Sequence, residues 1–421
     1  MAGEWKPTSL REAGVTLIDC DHRTPPAADS GYPYVAIPQL KEGRLALNDV
    51  RRISPEHFVD WTRKAKPQHH DVILSRRCNP GETAYVPAGL ECALGQNLVL
   101  LRADGSKLYP PFLRWLVRGP NWWEQVGTFI NVGAVFDSLR CADIPNFRMP
   151  LPPLAEQKAI AAVLGALDDK IELSRRMNAT LEAMARALFQ SWFVDFDPVR
   201  AKLDARPPVG LDPATAALFP DHLEDSPLGH IPRGWKVGKI QDCCLQIQNG
   251  GTPRRNEPRF WDGGKIPWLA SGEVRQSIIT ATESFITEEG LAESSAKWVP
   301  AFSTVVALYG ATAGQVSFTS SRLTTNQAVC ALIPKKNFAF FNYLTMREAT
   351  AEMENKAVGS AQQNISKGIV EETKVVLPPP ALVERFAATV SPMFERWISN
   401  LHQSRTLATL RDTLLLKLLS G

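Results

Sequence analysis

Along residues 160–192 one row of positions recurs at alternating steps of four and three. It runs Ile160, Leu164, Leu167, Ile171, Ser174, Asn178, Leu181, Ala185, Leu188, Trp192. A second stretch repeats the phase with Phe386, Val390, Met393, Trp397, Asn400, Ser404, Leu407, Arg411, Leu414 and Leu418. A spacing that averages about 3.5 residues is the seam of a coiled coil and predicts two long helices that pair. Two separate amphipathic core helices would leave a similar pattern. Pro152-Pro153 and Pro378-Pro379-Pro380 stand just ahead of the two rows, where a missing N–H costs little. Glu156 and Glu384 add negative charge close to the N-terminal dipole.

Both rows turn polar at their centre. In an antiparallel pair Ser174 would come near Ser404, and Asn178 near Asn400. Such a layer costs stability but specifies register and orientation.

The two rows belong to a longer repeat. Leu151-Pro152-Pro153 recurs as Leu377-Pro378-Pro379, and Thr180-Leu181 as Thr406-Leu407, a shift of 226 residues at both ends. A period this long is a duplicated domain rather than a solenoid. Looser matches precede each helix. Thr24-Pro25 ahead of Pro33-Tyr34 parallels Thr252-Pro253 ahead of Pro267-Trp268. Gln96-Asn97 before Leu98–Leu101 parallels Asn326-Gln327 before Ala328–Leu332. Val126-Gly127-Thr128 with Asn131-Val132 parallels Val358-Gly359-Ser360 with Asn364-Ile365.

Short apolar runs bounded by Gly, Pro and Asn (72–74, 98–101, 305–308, 329–333) read as strands. The fold class is therefore α+β, with two globular domains at 1–150 and 233–376. Long helices over 151–195 and 377–421 follow them and are expected to pair as a coiled coil. The segment 196–232 carries seven prolines from Pro198 to Pro232 and reads as a surface connector with short helical pieces such as 213–218.

Bulk properties narrow the class only modestly. The 421 residues allow several cores, and a net charge of +3 neither demands nor excludes a polyanionic partner. The N-terminus lacks an apolar signal core and no run of 18 apolar residues occurs, so neither secretion nor a membrane partner is expected. Seven cysteines (20, 78, 92, 141, 243, 244, 330) form no CxxC pair. They read as reduced, buried or incidental thiols rather than a disulfide or zinc framework.

Four stretches carry a resemblance over essentially the whole chain. They are LPPLAEQKAIAAVLGALDDKIELSRRMNATLEAMARALFQSWF (151–193), HIPRGWKVGKI (230–240), NGGTP (249–253) followed by KIPWL (265–269), and TLRDTLLLKLLSG (409–421). In this order they resemble the specificity subunit of type I restriction–modification systems. The resemblance implies two target-recognition domains in pseudo-twofold arrangement, each reading one half of a bipartite site on double-stranded DNA. It further implies that the two helices pair as an antiparallel coiled coil, act as a molecular ruler and dock two methyltransferase subunits, with two restriction–translocase subunits completing a cytoplasmic prokaryotic complex. A helix over 160–192 would span about 50 Å, against about 34 Å for one turn of DNA. The opening of the second helix, Ala-Leu-Val-Glu-Arg (381–385), departs from Ala-Glu-Gln-Lys (155–158).

The chain offers no catalytic centre of its own. Asn79-Pro80-Gly81 and Asp197-Pro198-Val199 lack the second proline and the aromatic residue of an aminomethylation motif, and no P-loop or GxGxxG turn is present. No cofactor is expected in this chain; S-adenosylmethionine, ATP and Mg belong to the implied partners. His69-His70-Asp71 reads as a surface cluster, with no metal expected. Other readings of the duplication are the recognition half of a single-chain methyltransferase or nuclease, and a coiled-coil adaptor without a DNA role.

Candidate DNA-reading residues pair Arg or Lys with Asn or Gln, the side chains that match guanine and adenine edges. In the first domain they are Arg76, Arg77, Asn79, Gln96, Asn97 and Asn131. In the second they are Arg254, Arg255, Asn256, Lys265, Tyr309, Gln315, Asn326, Gln327, Gln362, Gln363, Asn364 and Lys367. Gly250, Gly251 and Gly314 are expected in tight turns, and Trp61, Trp115, Trp122 and Trp123 in packing.

Overall fold

The structure is a computed structural model that describes residues 5–133, 135–357 and 364–419. The chain divides into two compact units, Met1–Glu172 with Arg405–Gly421, and Leu173–Ser404. Each is therefore closed by parts of both long helices.

In the first unit a four-stranded antiparallel sheet runs in the order Val15–Asp19, Leu98–Ala103, Val72–Ser75, Thr83–Tyr85. Its two central strands are buried throughout over 72–75 and 98–101, because both faces are covered. Side chains alternate between the faces. Val72, Leu74, Val99 and Leu101 pack with the long helices through Ile160, Leu164, Leu415 and Leu419. Ile73, Leu98 and Leu100 pack the other way, with Val35 and Leu94. Those two residues come from a smaller sheet ordered Arg52–Ile53, Tyr32–Val35, Ala93–Leu94. A two-stranded ribbon, Lys6–Ser9 with Arg148–Leu151, leads into the first long helix.

The second unit repeats this plan strand by strand. Its main sheet is Cys244–Asn249, Val329–Pro334, Thr304–Ala307, Val316–Thr319, with Ile278–Ile279 added at the edge. The smaller sheet is Ser284–Ile286, Ile266–Leu269, Leu323–Thr325, with Trp298–Val299 added. The ribbon recurs as Lys236–Lys239 with Lys374–Leu377. The faces split as before: Val306, Cys330 and Leu332 lie toward the helices, Val305, Ala307, Val329 and Ala331 toward the smaller sheet. The duplication read from the sequence is thus a duplication of topology.

The long helices are Leu154–Phe189 and Pro380–Leu419. The first ends in one π turn, Gln190–Val194, which inserts Trp192 and Phe193 into the core. Phe196 then takes a left-handed conformation at φ 55° and turns the chain into a short helix, Asp197–Leu203. The second helix continues through Pro392, although proline removes one i→i−4 hydrogen bond there.

Three expectations are corrected. The segment 196–232 is more than a surface connector: Phe196, Val199, Phe219 and Ile231 are core residues, and Leu223–Ser226 pairs with Gly229–Pro232 as a hairpin. Its apolar residues outweigh its prolines. Gly250 and Gly251 are not at positive φ. They allow close approach instead, since a Cβ on Gly250 would lie 2.0 Å from the Thr325 carbonyl oxygen. Gly314 does take the turn conformation, at φ 88°. Trp61, Trp115 and Trp122 are buried, whereas Trp123 is exposed.

All seven cysteines are free. Cys78 is exposed and Cys141 partly so, while the other five are buried. Burial pushes Cys20 to about 11 and Cys92, Cys243, Cys244 and Cys330 to about 12. These five thiols stay protonated at neutral pH, which suits packing rather than nucleophilic or metal chemistry.

Candidate nucleic-acid interface

One edge of the main sheet gathers the loops that carry many of the candidates, and it is built alike in both units. In the first, the Arg76 N–H donates to the Asn97 carbonyl at 2.9 Å, and the Leu139 N–H donates to the Arg76 carbonyl at 2.9 Å. Asn131 and Ser138 exchange two backbone hydrogen bonds, and Arg77 bridges Ser138. In the second unit the Leu308 N–H donates to the Ala328 carbonyl at 2.8 Å, and the Ile365 N–H to the Leu308 carbonyl at 2.8 Å. Tyr309 bridges Asn364. The loops after strands 72–75 and 304–307, before strands 98–103 and 329–334, and near 131–139 and 364–365 are thus sewn together by the same backbone bonds.

A side-chain contact recurs as well. Gln96 Nε2 donates to Thr24 Oγ1 at 3.2 Å, and Thr252 Oγ1 donates to Gln327 Oε1 at 2.5 Å. Both glutamines are exposed, so an oriented amide stands at the same edge of each domain. Glutamine amides are the groups that pair bidentately with adenine. Thr24 and Thr252 belong to this edge, although reading for Arg, Lys, Asn and Gln passed over them. The Thr-Pro pair that marks the repeat was the signal for them.

Candidates differ in how free they are. Arg77, Asn79 and Gln96 are exposed. Arg76 is largely buried: its guanidinium reaches the Leu139 carbonyl at 3.4 Å and lies 3.9 Å from Asp19, while its Nε is buried without a partner. Asn97 occupies the left-handed region at φ 66°, so it serves the turn. Asn131 is committed to its own loop, and its Oδ1 accepts from Arg140 at 3.0 Å. Asn326 likewise accepts from the Ala328 N–H at 3.1 Å, and Gln315 sits half-buried in the turn that returns to Ala307. Tyr309 and Asn364 are exposed at the edge.

Arg254, Arg255 and Asn256 are exposed on a different loop, where Arg255 lies over the rings of Trp261 at 4.2 Å and Trp268 at 4.7 Å. Lys265 is exposed at the start of strand 266–269. Lys367 pairs with Glu371 at 3.0 Å on a short helix. Gln362 and Gln363 lie outside the described residues.

The His69-His70-Asp71 run is not assembled as a ligand set. Asp71 is buried and held bidentately by Arg102 at 2.8 and 2.6 Å, and the two histidine rings stack at 3.6 Å. Among the described residues Asp19, Cys20 and His22 do cluster. The Cys20 thiol, however, donates to the Gly95 carbonyl at 3.2 Å, and its raised pKa makes it a poor thiolate ligand.

The seam carries two polar ties. In the second unit Asn400 Nδ2 donates to Asn178 Oδ1 at 2.8 Å, with both residues buried. Ser174 is buried too, and Ser404 Oγ is buried without a hydrogen-bond partner. In the first unit Asp168 meets Arg411 at 2.7 Å. Arg411 stood on the predicted seam. A charge at such a position requires a buried partner, and that was the signal for Asp168, which the seam pattern alone did not name. Replacing Asn178 by leucine is expected to cost about 1–3 kcal/mol, because Asn400 is left buried and unsatisfied. The double change N178L/N400L should recover most of that loss while weakening register specificity. A double-mutant cycle by urea unfolding, with no coupling between the two sites, would refute the assignment.

Two α+β domains of one topology, each closed by an antiparallel helix pair with buried polar ties, define a duplicated recognition scaffold. The family model described as "Type I restriction modification DNA specificity domain" matches residues 21–183 and again 232–396, and the chain belongs to that family. Its members are the non-catalytic, sequence-recognising component of type I restriction–modification systems. The chain is 30% identical to the HindI specificity subunit of Haemophilus influenzae, over 93% of this chain and 95% of the relative. It is 26% identical to the MjaIX specificity subunit of Methanocaldococcus jannaschii, over 83% and 77% respectively. The crystal structure of the type I system S subunit from M. genitalium shares the fold, with a TM-score of 0.58 at 15% identity, covering 99% of this chain and 96% of that one. No helix among the described residues is long and apolar enough to cross a membrane.

Proposed function

We propose that each domain reads one half of a bipartite, asymmetric site on double-stranded DNA through the loop edge at residues 24, 76–79 and 96–97, and its counterpart at 252, 309, 327 and 364. The observation that carries this reading is the edge itself. The backbone bonds through Arg76 and Leu308 recur in both units, and so does a Gln–Thr contact, with donor and acceptor exchanged, while the surrounding exposed side chains differ. A constant frame with variable side chains is what two readers of different half-sites require, because phosphate and backbone contacts position while base contacts specify.

In the assembled system the paired helices hold two methyltransferase subunits, and two restriction–translocase subunits join them in the cytoplasm of a prokaryote. The complex methylates adenine N6 at half-methylated sites and cleaves DNA whose sites are unmodified. S-adenosylmethionine, ATP and Mg are held by the partner chains, and this chain supplies target choice and scaffold. Exchanging residues 1–150 for the corresponding domain of another family member tests the reading. Methylation mapping of a host carrying the chimera should show one half-site replaced and the other retained. A map with both halves unchanged would overturn it.

A further inference from the structure

The first unit contains an ionic hub in which one buried carboxylate gathers three arginines, an arrangement not repeated among the described residues of the second unit. Asp168, on the first long helix, is buried and faces three arginines. Arg44 Nη2 lies 2.7 Å from Oδ1, Arg411 Nη1 2.7 Å from Oδ1, and Arg114 Nη2 2.7 Å from Oδ2. Arg411 comes from the second long helix, whereas Arg44 and Arg114 come from the globular domain, on the hairpin strand Arg44–Leu45 and the helix Pro110–Leu116. Arg44 also donates to the Asp168 carbonyl at 3.0 Å and pairs with Glu172 at 2.6 Å. Arg114 lies over the Tyr85 ring at 4.1 Å and the Trp115 ring at 4.2 Å, which fixes its fork from the other side. One carboxylate thus ties both long helices to two separate elements of the domain.

The repeat shows what stands at the same place in the second unit. The 226-residue shift carries Asp168 to Phe394 and relates Arg411 to Ala185. Phe394 packs against Phe340 at 4.6 Å, Phe318 at 5.3 Å and Tyr343 at 5.8 Å. Tyr343 and Phe340 belong to Ala339–Glu348, the helix that follows the main sheet as Pro110–Leu116 does in the first unit. At this one place the junction is aromatic in the second half and ionic in the first; the second unit's domain-to-helix ion pairs, Arg347–Glu182 at 3.3 Å and Arg186–Glu348 at 3.0 Å, lie elsewhere and are more exposed. Aromatic pairs accept several arrangements, stacked, tilted or edge-to-face, over a range of separations. Charge-assisted hydrogen bonds in a dry site are directional, and the planar arginine fork adds angular definition.

We propose that the Asp168 hub is a positioning device that sets the angle at which the first recognition domain is held on the helix pair. It thereby sets the length of unspecified spacer that the complex accepts between its half-sites. The inference rests on the DNA-reading function proposed above. A domain free to tilt would reach a half-site displaced by one base step, about 3.4 Å along the duplex, and the hub withholds that freedom. Arg44 and Arg114 supply the domain's side of the tie. Removing either one leaves Asp168 paired with Arg411 and the other arginine.

The test uses the chain reconstituted with its methyltransferase. The probes are duplexes carrying the site found by methylation mapping, with the natural spacer or one base pair more or fewer. Arg44→Met and Arg114→Met are each expected to lower the preference for the natural spacer by about tenfold, with the same half-site bases read. Arg44→Lys, which keeps the charge but not the fork, should restore part of the preference. Two variants are used so that a folding defect in one leaves the other readable. An unchanged spacer preference in both would overturn the hub's role while leaving the recognition function standing. A wild-type complex that binds every duplex alike would instead overturn the recognition function.

Discussion

Replacing Asp168 with alanine is expected to destabilise the first unit by about 3–5 kcal/mol, the usual cost of removing one partner from a buried ionic group. The size follows from what is left behind. Arg411 is only 8% exposed and Arg114 14%, so three guanidinium groups would face one another without the carboxylate. Asp168→Asn should cost less, because its amide oxygen still accepts a hydrogen bond. Amide hydrogen exchange of the buried strand Val72–Ser75 reports this unit separately from the other. Exchange as slow in the alanine variant as in the wild type would contradict the argument.

The same group gives a pH dependence. Burial alone would push the Asp168 carboxyl up, but Arg114, Arg44 and Arg411 outweigh it and hold its pKa below the ordinary carboxylate value. A depressed folded-state pKa adds stability above the unfolded value of about 3.9 and loses it as pH falls through the folded one. The hub is therefore fully engaged at neutral pH and fails in strong acid. The wild type should show an acid-unfolding limb below about pH 4 that Asp168→Ala shows only weakly.

Phe386→Ala is the second large effect, expected at about 3–5 kcal/mol in the second unit. Phe386 is fully buried, with ring centroids 5.0 Å from Phe193, 5.6 Å from Trp192 and 6.2 Å from Phe189. Those rings are delivered by the end of the first long helix and its π turn. Removing Phe386 opens a cavity where the two helices and the segment after residue 195 converge, and rigid aromatic neighbours collapse into such a void poorly. Leu416→Ala is the control. It lies on the second helix but is 54% exposed, so it should change stability by no more than about 0.5 kcal/mol. Urea midpoints that shift equally for the two variants would contradict the burial argument.

Much of the fold was legible beforehand. The four-three spacing named both helices because a seam must return to the same face every half-heptad. The uninterrupted apolar runs at 72–74 and 329–333 named strands, and the structure makes them central, with both faces covered. Side-chain commitment was not legible. Asn131, Asn326 and Asn97 have the chemistry of base readers, yet their hydrogen bonds and backbone geometry are spent on turns. Arg76 turned inward toward Asp19, and Lys367 found Glu371. A residue type states what a side chain can do, and only its neighbours state what is left of that capacity.

Periodicity and repetition, which are properties of the order of residues, determined that this chain is a domain and a helix written twice. Residue order also fixed that the helices carry polar positions at the centre of their seam. The tertiary structure decided which polar groups meet across distance. It drew Arg44, Arg114 and Arg411 onto Asp168 and left Phe394 among aromatic rings at the corresponding place, whereas the meeting of Asn178 with Asn400 already followed from the seam of an antiparallel pair. The physical reason is that a hydrophobic pattern records burial one residue at a time. A buried charge is tolerable only through partners that the fold brings from far along the chain.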